Sequence, residues 1–101
     1  MDSKILLKKI LERFKEKGIA RVDGYNSFGY IRETENAVFV TRETGKDTPI
    51  PFKKIMIGID AYKANASMYQ TTPTALREVG ITHVTSPIFA LLHLLDAEDY
   101  N

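Results

Sequence analysis

Between Tyr69 and Pro87 the sequence crowds polar and cationic side chains into a short stretch: Tyr69, Gln70, Thr71, Thr72, Arg77, Thr82, His83, Thr85 and Ser86. Two dipeptides within it, Thr72-Pro73 and Ser86-Pro87, read as helix starts. A proline at the first helical position gives up an amide that has no acceptor there in any case. Helix starts leave amides unpaired and carry a partial positive charge. Two such ends beside Arg77 and His83 suit a phosphate, a nucleotide or a carboxylate. Tyr69, Thr72, Arg77, Thr82, His83 and Ser86 are therefore the expected ligands of a small anion. The competing reading assigns the same hydroxyls to capping and loop stitching, with Ser86 as a helix cap.

A second set of residues suits a polymer. Lys4, Lys8, Arg13 and Lys15 stand on one predicted helix, where cations can neutralise a phosphate backbone. The competing reading is a solvated face whose lysines and Arg13 pair with Glu12 and Glu16. Strand alternation places Phe28, Tyr30 and Arg32 on one face of a predicted strand. On the next strand it places Val38, Val40 and Arg42 on one face and Phe39, Thr41 and Glu43 on the other. A sheet face showing an aromatic ring beside arginines can stack bases and meet phosphates. The expected nucleic-acid contacts are Lys8, Arg13, Tyr30, Arg32 and Arg42.

Signals for reactive chemistry are scarce. The chain has no cysteine, which excludes thiolate catalysis, disulfides and cysteine zinc sites. Its six glycines are scattered rather than clustered as a phosphate loop requires. Ser86 has His83 nearby but sits where a cap belongs. His83 and His93 are the only histidines and lack a carboxylate at helical offset to complete a metal pair. Glu33, Glu35, Glu43 and Asp47 bracket the hairpins, and a nuclease would need such acids to converge on a divalent ion. Solvated strand ends are the simpler account. The expectation is a module that binds without transforming, with no cofactor, no metal and no catalytic residue.

These side chains must be held by a small set of elements. Leu6, Leu7, Ile10, Leu11 and Phe14 recur at helical spacing over residues 4–17, with Ser3 as the expected cap and Gly18 as the stop. After Gly18 the period changes. Strands are expected at Ile19–Asp23, Phe28–Glu33 and Ala37–Glu43, with a short edge strand at Thr48–Ile50. Short loops between successive strands imply antiparallel pairing. Phe52, Ile55, Met56, Ile59 and Tyr62 share a helical face over residues 51–65, opened by Pro51 and interrupted by Gly58, a position for close helix contact. Ala66–Thr71 reads as a loop. Residues 73–79 read as a short helix closed by Gly80, and Ile88–Leu95 as a helix apolar nearly all round. That last helix offers base edges only His93, so a helix-turn-helix reading is disfavoured. It belongs in a core or at an interface.

The fold class expected is α+β: a three- or four-stranded antiparallel meander with an N-terminal helix and two to three C-terminal helices. At 101 residues the chain suits a single domain spanning 1–101, hiding roughly two-thirds of its unfolded surface. A formal net charge of +1 gives no global pull on polyanions. Locally, residues 1–17 carry six cations against three anions, and the last six residues carry three acids and no cation. No apolar run approaches the roughly 20 residues that span a bilayer, and Ile5–Leu7 is too short for a signal peptide. Cytoplasm and no membrane contact are the expectations. The leading reading is a binding or regulatory module for nucleic acid or a phosphorylated small molecule, self-associating through surplus apolar helix surface. The rival is an inhibitor or accessory subunit that uses the apolar helix to hold a protein partner.

Overall fold

The computed structural model describes residues 2–101. Helix α1 covers Ser3–Lys17. Its cap is Asp2, one residue before the expected Ser3; the Asp2 carboxylate accepts the Lys4 amide at 2.7 Å. A carboxylate also opposes the positive helix end, which a hydroxyl does not. Ser3 is thus the first helical residue, and its hydroxyl bonds Asp60. Gly18 ends α1 in the left-handed conformation, φ 74°, and its amide returns to the Phe14 carbonyl.

Four antiparallel strands follow in the order β1-β2-β3-β4: Ile19–Ala20, Phe28–Glu33, Ala37–Arg42 and Asp47–Pro51. The fold is α+β with a four-stranded meander. β1 is shorter than the alternation suggested, because a turn in which the Tyr25 amide bonds the Val22 carbonyl carries the chain away. One sheet face packs on the helices through Phe28, Val38, Val40 and Ile50, all buried.

The register holds one departure. Tyr30 opposes Val40, yet Arg32 opposes Phe39, so Ile31 is an extra residue in β2. Such a bulge shifts the alternation by one. Phe28 and Tyr30 share a face as expected, but that face turns to the helices, and Arg32 turns to the opposite one. There its guanidinium carbon lies 3.9 Å from the centre of the Phe39 ring.

The free edge of β4 is blunted. Pro49 and Pro51 oppose Phe39 and Ala37. The Arg42 amide bonds Lys46 and the Phe52 amide bonds Asn36, so the hydrogen-bonded pairs lie between the prolines and not at them. The nitrogens of Pro49 and Pro51 therefore face outward, where a strand would normally offer donors. Replacing both by threonine restores two outward amides. The double variant is expected to self-associate at concentrations where the parent stays dispersed, as read by light scattering; unchanged scattering would show that the prolines do not guard this edge.

Helix α2, Phe52–Ala64, begins one residue after Pro51, which occupies the cap rather than the first turn. Gly58 admits α3 closely: a Cβ there would stand 2.9 Å from Leu92 Cδ1. Ala66–Gln70 is a 3-10 helix where the sequence suggested a loop, and Pro73–Val79 is 3-10 in form and closed by Gly80 at φ 98°. Helix α3 runs Thr85–Leu92. Its cap is Val84, held left-handed at φ 55°, and the Ile88 amide makes the first helical bond to the Val84 carbonyl. Ser86 is therefore not the cap and Pro87 not the first helical residue. Pro87 is tolerated because first-turn amides lack intrahelical acceptors. A last 3-10 turn, Ala97–Tyr100, carries a capping box between Asp96 and Asp99.

Pro87 to Leu92 are all buried, with Ile88, Leu91 and Leu92 at 0% exposure. The helix that is apolar all round is core. It keeps no free apolar face for a second copy or a protein partner, which corrects the expectation of association through it. No helix among the described residues is long and apolar enough to cross a membrane.

Candidate functional site

The α1 stripe read from the sequence divides in two. Leu6, Ile10 and Phe14 are buried, whereas Leu7 and Leu11 remain half-exposed. The half-exposed pair floors an open groove of about 350 Å³, lined also by Lys4, Lys8, Lys15, Glu12 and, from the end of β2, Glu33. Lys4, Lys8 and Lys15 are exposed and none is within ion-pair distance of an acid among the described residues. The pairing of Glu12 and Glu16 with neighbouring cations, which would have neutralised this face, is not formed.

Glu33 reaches the groove through the bulge. With Ile31 extra, Glu33 opposes Val38 and turns toward the helices. There the Tyr30 hydroxyl donates to Glu33 Oε2 at 2.9 Å, while Oε1 has no partner among the described residues. The Tyr30 ring stands edge-on to Phe14, centroids 5.3 Å apart. Burial, then the hydrogen bond and the negative charge of Glu33, push the Tyr30 phenol above its ordinary pKa. It stays protonated and donating. Tyr30 therefore orients an acceptor.

The remaining polymer candidates are dispersed. Arg13 donates to the Leu94 carbonyl at 2.9 Å and lies 3.9 Å from Asp99, tying α1 to the C-terminal turn. Arg42 Nε donates to Thr48 Oγ1 at 3.0 Å on the helix-facing side of the sheet. Arg32 covers Phe39 on the other face. Of the five, only Lys8 lines the groove, with Tyr30 behind it. The sequence placed Lys4 and Lys15 on the basic helix face but not among the expected contacts, read Leu7 and Leu11 only as core, and read Glu33 only as a strand-end acid. The half-exposure of Leu7 and Leu11 has a sequence signal: they lie on the flank of the stripe toward Lys4, Lys8 and Lys15. Glu33 has none, because its direction depends on the bulge.

Of the small-anion candidates, some are engaged and others are exposed. Tyr69 donates its hydroxyl to the Leu95 carbonyl at 2.7 Å and packs against His93, ring centroids 4.2 Å apart. Thr72 occupies the cap position of the 3-10 helix without a side-chain cap bond. Ser86 lies inside α3. Arg77, Thr82 and His83 are exposed, and none of the six lines the α1 groove or the clefts at Glu35–Lys53 and Ala61–Val79.

The acids that a nuclease would need are also apart. Glu33 serves Tyr30 at one end of the sheet, while Glu43 accepts the Ser27 amide at 2.9 Å at the other. A six-residue strand separates these ends by roughly 17 Å. No group of three or more His, Asp or Glu side chains among the described residues is placed to share a metal ion.

The fold and groove define an α+β domain with a lysine-rimmed, leucine-floored cleft on its first helix. Comparison with known proteins returns no matching family model, no matching curated protein and no matching solved structure.

Proposed function

We propose that this chain is a non-enzymatic binding or regulatory module, acting in the cytoplasm, that holds nucleic acid in the α1 groove. The observation that carries the reading is the row Lys4, Lys8 and Lys15, three exposed cations with no acid paired to them, set around one groove. The row spans about 16 Å of helix. Unpaired ammonium groups on a rigid helix meet phosphates without first breaking internal ion pairs, and each contact releases a condensed counterion. A phosphorylated small molecule held at Tyr69–Ser86 is less supported, since the Tyr69 hydroxyl is given to the Leu95 carbonyl and none of the six candidates lines one of the three clefts.

The test is salt dependence. A fluorescent 12-nucleotide oligonucleotide is titrated at salt concentrations from 50 to 200 mM. Three phosphate contacts give a log–log slope of about −2 to −3. The variant Lys4→Ala/Lys8→Ala/Lys15→Ala changes only exposed side chains and is expected to keep its fold and lose most of that slope. Absence of binding at the lowest salt, or an unchanged slope in the variant, refutes the reading.

A further inference from the structure

The groove is not uniformly basic. Glu12 and Glu33 line it beside the lysines, and Leu7 and Leu11 form its floor. Phosphates alone do not account for this lining, because a carboxylate repels a phosphate and leucine has nothing to offer one. A duplex would present its phosphates to the rim and leave the leucine floor unmatched, since its base faces are stacked inside. A single strand presents three chemistries at once: phosphates, apolar base faces, and base edges that carry amino groups.

We infer that the ligand of the α1 groove is single-stranded nucleic acid and that the groove favours bases bearing an exocyclic amine, with cytosine over thymine as the diagnostic pair. The inference rests on the nucleic-acid reading above. Lys4, Lys8 and Lys15 meet the backbone, Leu7 and Leu11 take the face of an unstacked base, and the carboxylates accept from its amino group. Glu33 is the better placed acceptor. Tyr30 fixes one carboxylate oxygen at 2.9 Å and leaves the other unbonded, so the group is oriented before a base arrives. Carboxylates accept from the cytosine amine. Thymine carries a carbonyl oxygen at the same ring position, so the same contact would set two acceptors against each other, and discrimination has a repulsive half as well as an attractive one.

The experiment compares three fluorescent probes of 12 nucleotides at one low salt concentration: oligodeoxycytidine, oligodeoxythymidine and a blunt duplex. The expected order is oligodeoxycytidine tightest, oligodeoxythymidine weaker by about tenfold, and duplex weakest. Glu12→Ala/Glu33→Ala changes two exposed residues, with circular dichroism to confirm the fold. It is expected to bring the two single strands to within about twofold of one another while strengthening both, since two negative charges leave the groove. Equal affinity for duplex and single strand, equal affinity for the two pyrimidine strands, or discrimination that survives in the double variant overturns the inference while leaving the nucleic-acid reading intact. Failure of all three probes to bind overturns both.

Discussion

Replacing His93 with alanine is expected to cost about 3 kcal/mol of folding stability in urea denaturation, one of the two largest effects anticipated for this chain. The ring stands between Tyr69 and Phe89, with both centroid separations 4.2 Å. Its Nδ1 lies 2.8 Å from the Phe89 carbonyl oxygen and its Nε2 lies 2.8 Å from the Tyr69 carbonyl oxygen. Carbonyl oxygens only accept, so both contacts are hydrogen bonds only when both ring nitrogens carry a proton; a neutral ring serves one of them. The ring also packs against both aromatic neighbours. Alanine would leave the Tyr69 carbonyl without this donor and open a gap between two rings. His93→Gln retains one donating group and is expected to recover about half of the loss. A loss below about 0.5 kcal/mol in the alanine variant would mean that neither contact stabilises the fold.

The second large effect is alkaline. Tyr62 and Tyr100 are 1% and 3% exposed and meet edge-on at 5.2 Å. Burial is the main cause that raises both phenols far above the ordinary value of 10.0; the nearby Tyr69 raises both further, and at Tyr100 so do Tyr62 and Asp99, against a lowering by Arg13. Tyr100 donates to the Leu92 carbonyl, whereas the Tyr62 hydroxyl has no partner among the described residues. The sign follows from proton counting. Below the unfolded value both states hold both protons, and the stability due to these groups is fully present. Above it the unfolded chain releases protons that the folded chain keeps. Stability therefore falls as pH rises past about 10, by about 1.4 kcal/mol per pH unit for each group and about twice that for the pair. Absorbance titration, with circular dichroism in parallel, checks this. Tyr62 and Tyr100 should ionise only together with loss of the folded circular dichroism signal. Their ionisation with the fold still intact would show that the cluster opens to solvent without unfolding.

Much of the architecture was legible because its signals are local. The change from helical to alternating apolar spacing at Gly18 marks the passage from α1 to the sheet, and Gly80 closes its helix as a residue without Cβ can. The apolar run Ile88–Leu92 announced burial in a core or at an interface, and the structure makes it core. Helix starts were less secure. Asp2 displaced Ser3 by one residue, and the left-handed Val84 moved the start of α3 ahead of Ser86; both depend on how the chain enters the helix rather than on a single residue type. The site was half legible. Three unpaired lysines on one face can be counted from spacing. Arg13 could have been set apart by the same arithmetic, because it lies seven residues after Leu6 on the buried side, where it reaches Leu94. The position of Glu33 and the reversal of Arg32 could not be found this way, since nothing in Phe28–Glu33 announces the bulge.

Ile31 has a consequence beyond strand geometry. Had the alternation run unbroken from Tyr30, Arg32 would point toward α1 and Glu33 away from it. One additional residue exchanges them, putting a carboxylate beside Lys4, Lys8 and Lys15 and sending the guanidinium to Phe39. The sign of the charge on that wall is thus a matter of parity, decided by how many residues separate Tyr30 from Glu33 and not by which charged residues the segment contains. Insertions or deletions of a single residue in β2 can therefore invert the charge that this wall presents while its composition stays almost unchanged.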